Sequence, residues 1–511
     1  MSRTAKSIQN SKVALLFAVV SFVIGFFSRK VFLDHLGAEL LGLNTTAVNL
    51  LQFINIAEMG IGTAIACTLY KPLFDKDQET INEIVSLQGW LYRNIAFIVM
   101  GAASVLMCFF PMIFVKSTLP IWYAYATFSV LLFGSLLDYF VNYKQIILSA
   151  NQEQYKIVYS YSFVRVLARV FQIIAFSCFE NEYLWWLAIE FAFIVISAIT
   201  LNITVRKSAP QLRANIKVDS QLRLKYPEVI TKVKQVFVHK IGVFVLTQTQ
   251  PLIVYAYSSL TVVAYYGNYM FVILGVTQLI TSLFNGMAAS VGNLVAEGDM
   301  KRIIRVFDEL YTSRLLLVAI LTITTYVMLP QFITLWVGSE YIMSNTTVVL
   351  MLVTFFIRGI RLTVDEYINA YGLFRDMWAP LTEAALNISC SVLLGYFYGI
   401  DGVLCGAIIS LLLIVMCWKP YFLFRCGLKQ PLGIYLVIFF KGMFVMLLMI
   451  TALYLVDLEW LTAIADSRLL NFFISGAITT TAVSTIMLAL LYPISQGMRD
   501  FVRRVLRLVR K

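Results

Sequence analysis

Residues 28–73 read SRKVFLDHLGAELLGLNTTAVNLLQFINIAEMGIGTAIACTLYKPL and join two apolar segments, predicted at 13–33 and 41–70. Each segment reaches the ~20 apolar residues that a membrane-spanning helix needs. Arg29 and Lys30 stand side by side near the end of the first segment. A helix that begins at Lys12 rises ~1.5 Å per residue, which places Arg29 ~26 Å away, near the opposite face of a bilayer. Because cations are disfavoured there, this pair needs an explanation.

The whole chain has the composition of an integral membrane protein. Of its 511 residues, 60% are hydrophobic and only 13% are charged, and the mean hydropathy is +0.81. A soluble chain of this length cannot bury so much apolar surface, since single cores stop growing at domain size. The sequence therefore predicts an all-α polytopic membrane protein. The net charge of +12 is attributed to basic cytoplasmic loops, and no nucleic acid is expected as a partner.

Apolar segments long enough to span a bilayer recur about fourteen times along the chain. They are predicted at 13–33, 41–70, 88–115, 119–148, 157–179, 183–205, 236–257, 262–296, 308–337, 345–371, 378–399, 401–424, 434–456 and 469–492. Weak matches at offsets of about 220–226 residues indicate an internal repeat. The predicted organisation is a six-helix lobe at 1–205, a basic cytoplasmic linker at 206–235, a second six-helix lobe at 236–424, two additional helices at 425–492 and a tail at 493–511.

Lysine and arginine are distributed unevenly among the loops that connect these segments. They concentrate in alternate loops, above all in 206–235, whereas the opposite loops are mostly acidic. The positive-inside rule then places both termini in the cytoplasm. The tail QGMRDFVRRVLRLVRK (496–511) has apolar residues at helical spacing among arginines, which predicts a helix on the anionic membrane surface. Binding of the tail to a partner protein is the alternative.

Motifs for catalysis and for metal binding are missing from the sequence. There is no G-x-x-x-x-G-K-[ST] motif, and His35 and His239 stand far apart. None of the seven cysteines forms a C-x-x-C motif. We therefore predict no catalytic residue, no metal site and no cofactor, apart from H⁺ or Na⁺ as coupling ions.

Arginines within the apolar segments are candidates for ligand binding, because charge at membrane depth usually faces a polar cavity or a partner. Arg165 and Arg169 lie four residues apart in the fifth segment, without a carboxylate three or four residues away. This favours a polar cavity for both. Arg358 and Arg361 lie three residues apart in the tenth segment.

Local ion pairs are the alternative for two of the cations. Arg361 has Asp365 at i+4, and Lys30 has Asp34 at i+4, so each can be neutralised on its own helix.

Carboxylates at membrane depth are candidates for ion coupling. They are Glu58, Asp138, Glu190, Glu366 and Glu383, of which Glu58, Asp138 and Glu383 are the chief candidates for binding H⁺ or Na⁺. Burial favours the protonated form of a carboxyl group, whereas a structural hydrogen bond to the backbone is the alternative role. Pro251 in the seventh segment predicts a kink, either a moving gate or a static bend.

The stretch 28–73 resembles the N-terminal signature of bacterial polysaccharide flippases, the Wzx-type exporters of O-antigen and capsule units. They belong to the MOP (multidrug/oligosaccharidyl-lipid/polysaccharide) superfamily, with the multidrug and toxin extruders (MATE) and the lipid II flippase. Outside 28–73 the resemblance is mainly one of hydropathy. It implies a MATE-like fold and alternating-access transport, without ATP, of undecaprenyl-pyrophosphate-linked oligosaccharide across the bacterial cytoplasmic membrane. Contacts with membrane lipids and with other polysaccharide-assembly proteins are further expectations.

The resemblance also bears on the site. In related flippases a cationic cavity receives the lipid headgroup, which makes Arg29 and Lys30 candidates by position. Arg165, Arg169, Arg358 and Arg361 are added from their depth alone. The planar guanidinium group suits a pyrophosphate, because its donors match phosphate oxygens. We expect these groups to line a central cavity between the two halves.

Two other functions remain open from the sequence. A MATE-like cation-coupled multidrug exporter shares the fold, but its cationic substrates favour carboxylates over arginines. A membrane-embedded polysaccharide polymerase or ligase is the enzymatic alternative.

Overall fold

The chain is helical in the part that the computed structural model describes. That part comprises residues 3–58, 61–151, 153–214, 216, 218, 220–227, 249–284, 291–292, 294–295, 297–373, 376, 378–455, 464 and 466–509. The chain divides into two compact units, Met1–Ala264 and Tyr265–Lys511.

Within its described residues, the first unit contains six main helices. These are α1 (Arg3–Ile54), α2 (Ile61–Asp75), α3 (Gln78–Cys108), α4 (Trp122–Phe140), α5 (Gln154–Cys178) and α6 (Glu182–Ser208). Shorter helical segments lie at Asn55–Glu58, Phe110–Ile113, Asn142–Gln145, Ile146–Ala150, Ser220–Lys225 and 249–257. Helices α5 and α6 pack against each other, and α1 packs against α4 and α5. This packing brings the fifth predicted segment, with its two arginines, against the sixth.

The second unit is organised around one long helix. Its helices are α7 (Leu260–Phe284, which begins in the first unit), α8 (Met300–Trp336), α9 (Asn345–Ala370), α10 (Trp378–Ser410), α11 (Gly433–Leu455), α12 (Arg468–Ile494) and α13 (Gln496–Val509). Further helical turns are Ser339–Tyr341, Leu411–Trp418, Lys419–Phe422 and Leu423–Leu428. Helix α8 packs against α9, α11, α12 and α13, and α9 packs against α10.

Two glycines break helices that are otherwise continuous. Gly37 in α1 has φ 77° and Gly399 in α10 has φ 59°, a region that side chains with a Cβ rarely adopt. Beyond Gly399 the chain folds back, since a Cβ on Gly402 would overlap the Leu394 carbonyl and one on Gly406 would overlap the Ser391 amide. The breaks lie where the sequence separates predicted segments, at 33/41 and at 399/401.

The count of membrane-spanning helices agrees with the predicted class. In the described residues, ten helices are long and apolar enough to cross a membrane, and a pair bent by 56° (Trp122–Phe140 with Asn142–Ala150) adds an eleventh. Two of the ten are the helices divided by Gly37 and Gly399, and counting their arms separately gives thirteen. The predicted seventh segment, 236–257, lies outside the described residues up to 248. The prediction of an all-α polytopic membrane protein is confirmed.

The predicted tail helix is present as α13, and it packs on α8. Met498 is fully buried, and Arg504 Nη2 lies 2.8 Å from Glu309 Oε2 of α8. Arg503 and Arg507 remain exposed. One side of the tail helix is thus covered by its own chain, and its position on a membrane surface stays a prediction.

Candidate functional site

In the first unit, two predicted arginines converge on one buried carboxylate. Arg165 Nη1 of α5 lies 2.8 Å from Glu190 Oε1 of α6. Gln172 Nε2 donates to Glu190 Oε2 at 2.9 Å, and Gln172 Oε1 accepts from Arg169 Nη1 at 3.2 Å. Glu190 is only 3% exposed, so its charge is stabilised by these partners rather than by water. Two arginines and one glutamate leave this hydrogen-bonded group with one net positive charge.

Sequence reasoning found both arginines but paired neither with Glu190. The partner of Arg165 lies 25 residues along the chain, on the next helix, beyond the reach of an i±3 or i±4 rule. Arg165 is therefore half of an interhelical ion pair, a partner that spacing within its own helix could not reveal. Arg169 is held by a neutral amide, so it can accept an anion without losing a carboxylate.

In the second unit, Arg361 is placed between two carboxylates. Its Nε lies 2.6 Å from Asp365 Oδ2, and its Nη1 lies 3.5 Å from Glu383 Oε1 of α10. The Arg361–Asp365 pair, which the sequence offered as the alternative for this cation, is thus present. Glu383 is 1% exposed and acts electrostatically on both Arg361 and Arg358.

Arg358 differs from its neighbour. It makes no ion pair within 4 Å with any residue that the structure describes, and it is half-buried. Its electrostatic surroundings are Tyr266 of α7, Glu383 and the like charge of Arg361. A guanidinium group with five donors and no bound carboxylate offers the donor set that a phosphate group accepts.

The second unit also contains a fully buried arginine that was not among the ligand candidates chosen from the sequence. Arg314 of α8 is 1% exposed, and its Nη2 lies 2.8 Å from Glu366 Oε1. Its Nη1 donates to Thr363 Oγ1 at 2.9 Å, and its guanidinium carbon lies 4.1 Å from the Phe284 ring centroid. The sequence could have indicated it, because Arg314 is a charged residue inside the predicted apolar segment 308–337. We interpret this enclosed pair as a structural tie between α8 and α9.

Arg29 and Lys30 have different partners, as expected for neighbours that point ~100° apart on a helix. Lys30 Nζ lies 3.2 Å from Asp34 Oδ2, so the predicted i,i+4 pair is confirmed. Arg29 Nη2 donates to the Ala264 carbonyl of α7 at 3.3 Å. Lys30 is therefore held by its own helix, whereas Arg29 reaches another one.

The three candidate coupling carboxylates lie in unlike settings. Glu58 lies in the short turn Asn55–Glu58 after α1 and accepts from Tyr92 Oη at 3.3 Å. Asp138 accepts from Asn142 Nδ2 at 2.7 Å, a neutral partner one turn along. Glu383 shares Arg361 with Asp365. Glu58 and Asp138 have neutral donors in these contacts, which makes protonation of either one independent of breaking those contacts.

Pro251 lies in the helical segment 249–257. The residue whose carbonyl the proline would free, four positions earlier, lies outside the described residues. The predicted kink or gate stays a prediction.

Comparisons with known proteins match the fold rather than the sequence. No protein-family model and no curated protein sequence matches the chain. The solved structure of the lipid II flippase MurJ in an inward closed conformation matches with a TM-score of 0.64 at 15% identity, covering 96% of this chain and 100% of that one. An inward-facing multidrug resistance MATE family transporter of the MOP superfamily matches with a TM-score of 0.57 at 12% identity, covering 83% and 99%. The Vibrio cholerae MATE transporter VcmN in the bent form gives 0.50 at 16% identity, covering 83% and 98%.

These matches show the class of fold: the chain is a polytopic membrane protein with the fold of the MurJ and MATE structures. The predicted MATE-like fold is confirmed. The MurJ match includes a larger share of this chain than the two MATE matches do. At such low identities the likeness shows the fold alone, so the substrate has to be argued from the arginines.

Proposed function

We propose that the protein is a flippase that moves undecaprenyl-pyrophosphate-linked oligosaccharide across the bacterial cytoplasmic membrane, with both termini in the cytoplasm. The observation that carries the proposal is a pair of half-buried arginines in a spanning helix of each unit, only partly neutralised by carboxylates. The fold likeness to a protein named as a lipid II flippase supports a lipid-linked substrate. Surface polysaccharide export is the process that such a substrate would serve.

The contacts rank the arginines as ligands for the pyrophosphate. Arg169 is bound to a neutral amide and Arg358 to no described carboxylate, so both can bind phosphate oxygens without breaking an ion pair. Arg165 and Arg361 must first exchange a carboxylate for the phosphate. Arg29 donates to a backbone carbonyl at 3.3 Å, and a phosphate oxygen is a stronger acceptor than this carbonyl. Lys30 keeps Asp34, so its contribution is smaller.

The same contacts provide a route to ion coupling. When pyrophosphate takes Arg165 or Arg361, Glu190 or Glu383 loses part of its compensation and becomes a better proton acceptor, because a buried unpaired carboxylate is unfavourable. Glu58 and Asp138 add sites that accept hydrogen bonds from the neutral donors Tyr92 and Asn142. Proton or Na⁺ binding would then accompany alternating access, with no nucleotide involved.

The test is movement of a labelled lipid between leaflets. Purified protein is reconstituted in liposomes with fluorescent undecaprenyl-pyrophosphate oligosaccharide, and the fraction open to an impermeant quencher is followed with time. We expect this fraction to rise well above the outer-leaflet share with wild-type protein. An Arg169→Gln, Arg358→Gln double variant should lose most of the rate, whereas Arg302→Gln should keep it, because Arg302 is exposed in the first turn of α8 and paired with the exposed Glu297.

Each competing function has its own readout in the same vesicles. A new covalent product would identify a polymerase or ligase. Extrusion of a cationic dye on an imposed H⁺ or Na⁺ gradient, without lipid movement, would identify a multidrug exporter. Either outcome contradicts the proposal, as does unchanged flipping by the double variant.

A further inference from the structure

The second unit contains a basic cavity that the proposed transport does not use. It has a volume of about 570 Å³ and lies among the N-terminal parts of α8, α11 and α13. Lys301 and Arg305 of α8, Lys441 of α11 and Gln496 of α13 line it, together with isoleucine and valine side chains. None of the arginines discussed above contributes to its wall.

The cavity holds an excess of positive charge. Lys301, Arg305 and Lys441 make no ion pair within 4 Å with a carboxylate in the described part of the chain. Among the described residues of the wall, Asp308 is the only acidic one; it attracts Lys441, and each of its oxygens accepts a hydrogen bond from a neutral donor, so one negative charge faces three positive ones. Oδ1 accepts from Thr312 Oγ1, and Oδ2 accepts from the Gly497 amide, each at 3.0 Å.

The arrangement of the helices adds to the positive electrostatic potential of the cavity. Lys301 and Arg305 lie four residues apart on one face of α8, where like charges repel each other. Helices α8, α11 and α13 begin at Met300, Gly433 and Gln496, so the positive ends of three helix dipoles lie beside the cavity. Anions are the usual ligands of such helix starts, and a bound anion would relieve the repulsion.

We propose that this cavity binds the phosphate of an anionic phospholipid. Lys441 lies eight residues beyond the start of α11, ~12 Å along a helix that is apolar enough to span the membrane. Val437, Phe440 and Phe444 of α11 are more than half exposed and give acyl chains an apolar surface next to the headgroup. Basic pockets beside spanning helices bind lipid headgroups in this way.

The test measures lipid-dependent stability of the full chain in detergent. The unfolding temperature is recorded against short-chain phosphatidylglycerol, phosphatidylcholine of the same chain length, and inorganic phosphate. We expect a saturable rise with phosphatidylglycerol and little change with the other two. Lys441→Gln should weaken the apparent affinity roughly tenfold, the loss of one charge-assisted hydrogen bond, and Lys441→Arg should retain most of it.

Arg302→Gln is the matched control, because Arg302 is exposed beside Lys301 but does not line the cavity. If Lys441→Gln fails to accumulate, the exposed double variant Lys301→Gln, Arg305→Gln tests the same charge. Equal stabilisation by phosphatidylcholine overturns the proposal. Equal stabilisation by inorganic phosphate also overturns it in favour of a soluble anion, and so does a cavity variant that binds like Arg302→Gln. None of these results depends on transport.

Discussion

The two units carry the same kind of group in different states of neutralisation. In the first unit, Arg165 and Arg169 share Glu190, directly and through Gln172. In the second, Arg361 is bound by Asp365 and approached by Glu383, while Arg358 stays without a carboxylate among the described residues. Counted by ion pairs within 4 Å and the hydrogen bonds of Gln172, the first unit shares one carboxylate between two arginines, whereas the second places two carboxylates on one arginine.

This difference does not follow from a copied motif. At the predicted repeat offset of about 223 residues, Arg358 and Arg361 correspond to Ser135 and Asp138 in α4, not to the arginines of α5. In the predicted repeat, the two arginine pairs therefore lie on helices that are not equivalent. Charge at membrane depth is costly, so its occurrence at unrelated positions in both units favours a requirement for the substrate over inheritance.

The largest expected effect comes from removing the two glutamates. Glu190→Ala leaves Arg165 and Arg169 without their carboxylate and should lower the free energy of unfolding by about 4 kcal/mol. Glu383→Ala should cost about half as much, roughly 2 kcal/mol, because Arg361 keeps Asp365 at 2.6 Å. Unfolding in detergent measures both. Equal losses, or a larger loss for Glu383→Ala, would break the comparison.

Arg314 separates a structural arginine from the proposed ligands. Arg314→Leu removes the partner of Glu366 at 2.8 Å and should cost about 3 kcal/mol of stability. The folded fraction should still prefer a pyrophosphate-linked lipid over an uncharged one. Flipping per folded molecule, compared with wild-type protein, checks this. Loss of the preference would mean that Arg314 belongs to the substrate site.

A double-mutant cycle sharpens the contrast between the pairs. Arg165→Gln and Glu190→Gln should show a coupling energy of about 2 kcal/mol, since one contact of 2.8 Å joins a half-buried and a buried group. Arg361→Gln and Glu383→Gln should couple by less than about 1 kcal/mol, because their distance is 3.5 Å and Asp365 competes. The two coupling energies come from unfolding of the four proteins in each cycle. Their reversal would mean that Asp365 is not the main partner of Arg361.

The smallest effect is expected at the exposed pair near the start of the chain. Lys30→Ala should change stability by about 0.3 kcal/mol, because the Lys30 and Asp34 side chains are 42% and 49% exposed. Its flipping rate should fall less than that of Arg29→Ala at equal membrane abundance. A greater loss of flipping rate for Lys30→Ala than for Arg29→Ala would mean that Lys30, not Arg29, is the phosphate ligand.

The sequence predicted what depends on local spacing. Hydropathy predicted the fold class, and the i,i+4 rule predicted the Arg361–Asp365 and Lys30–Asp34 pairs. It did not pair Arg165 with Glu190 or select Arg314, because those contacts join different helices and depend on how the helices pack. The neutral bridge through Gln172 likewise appears only when α5 and α6 lie side by side.

The central claim is that arginines within the spans select a pyrophosphate, and one competition measures it directly. Wild-type protein in liposomes is given equal amounts of the pyrophosphate-linked oligosaccharide and the same oligosaccharide on an uncharged polyprenol, each with its own fluorophore. We predict that the charged lipid moves at least roughly tenfold faster, since one charge-assisted contact corresponds to about that factor, and that Arg169→Gln, Arg358→Gln removes the preference. Equal movement of both lipids by wild-type protein, or an undiminished preference in the variant, would contradict the account.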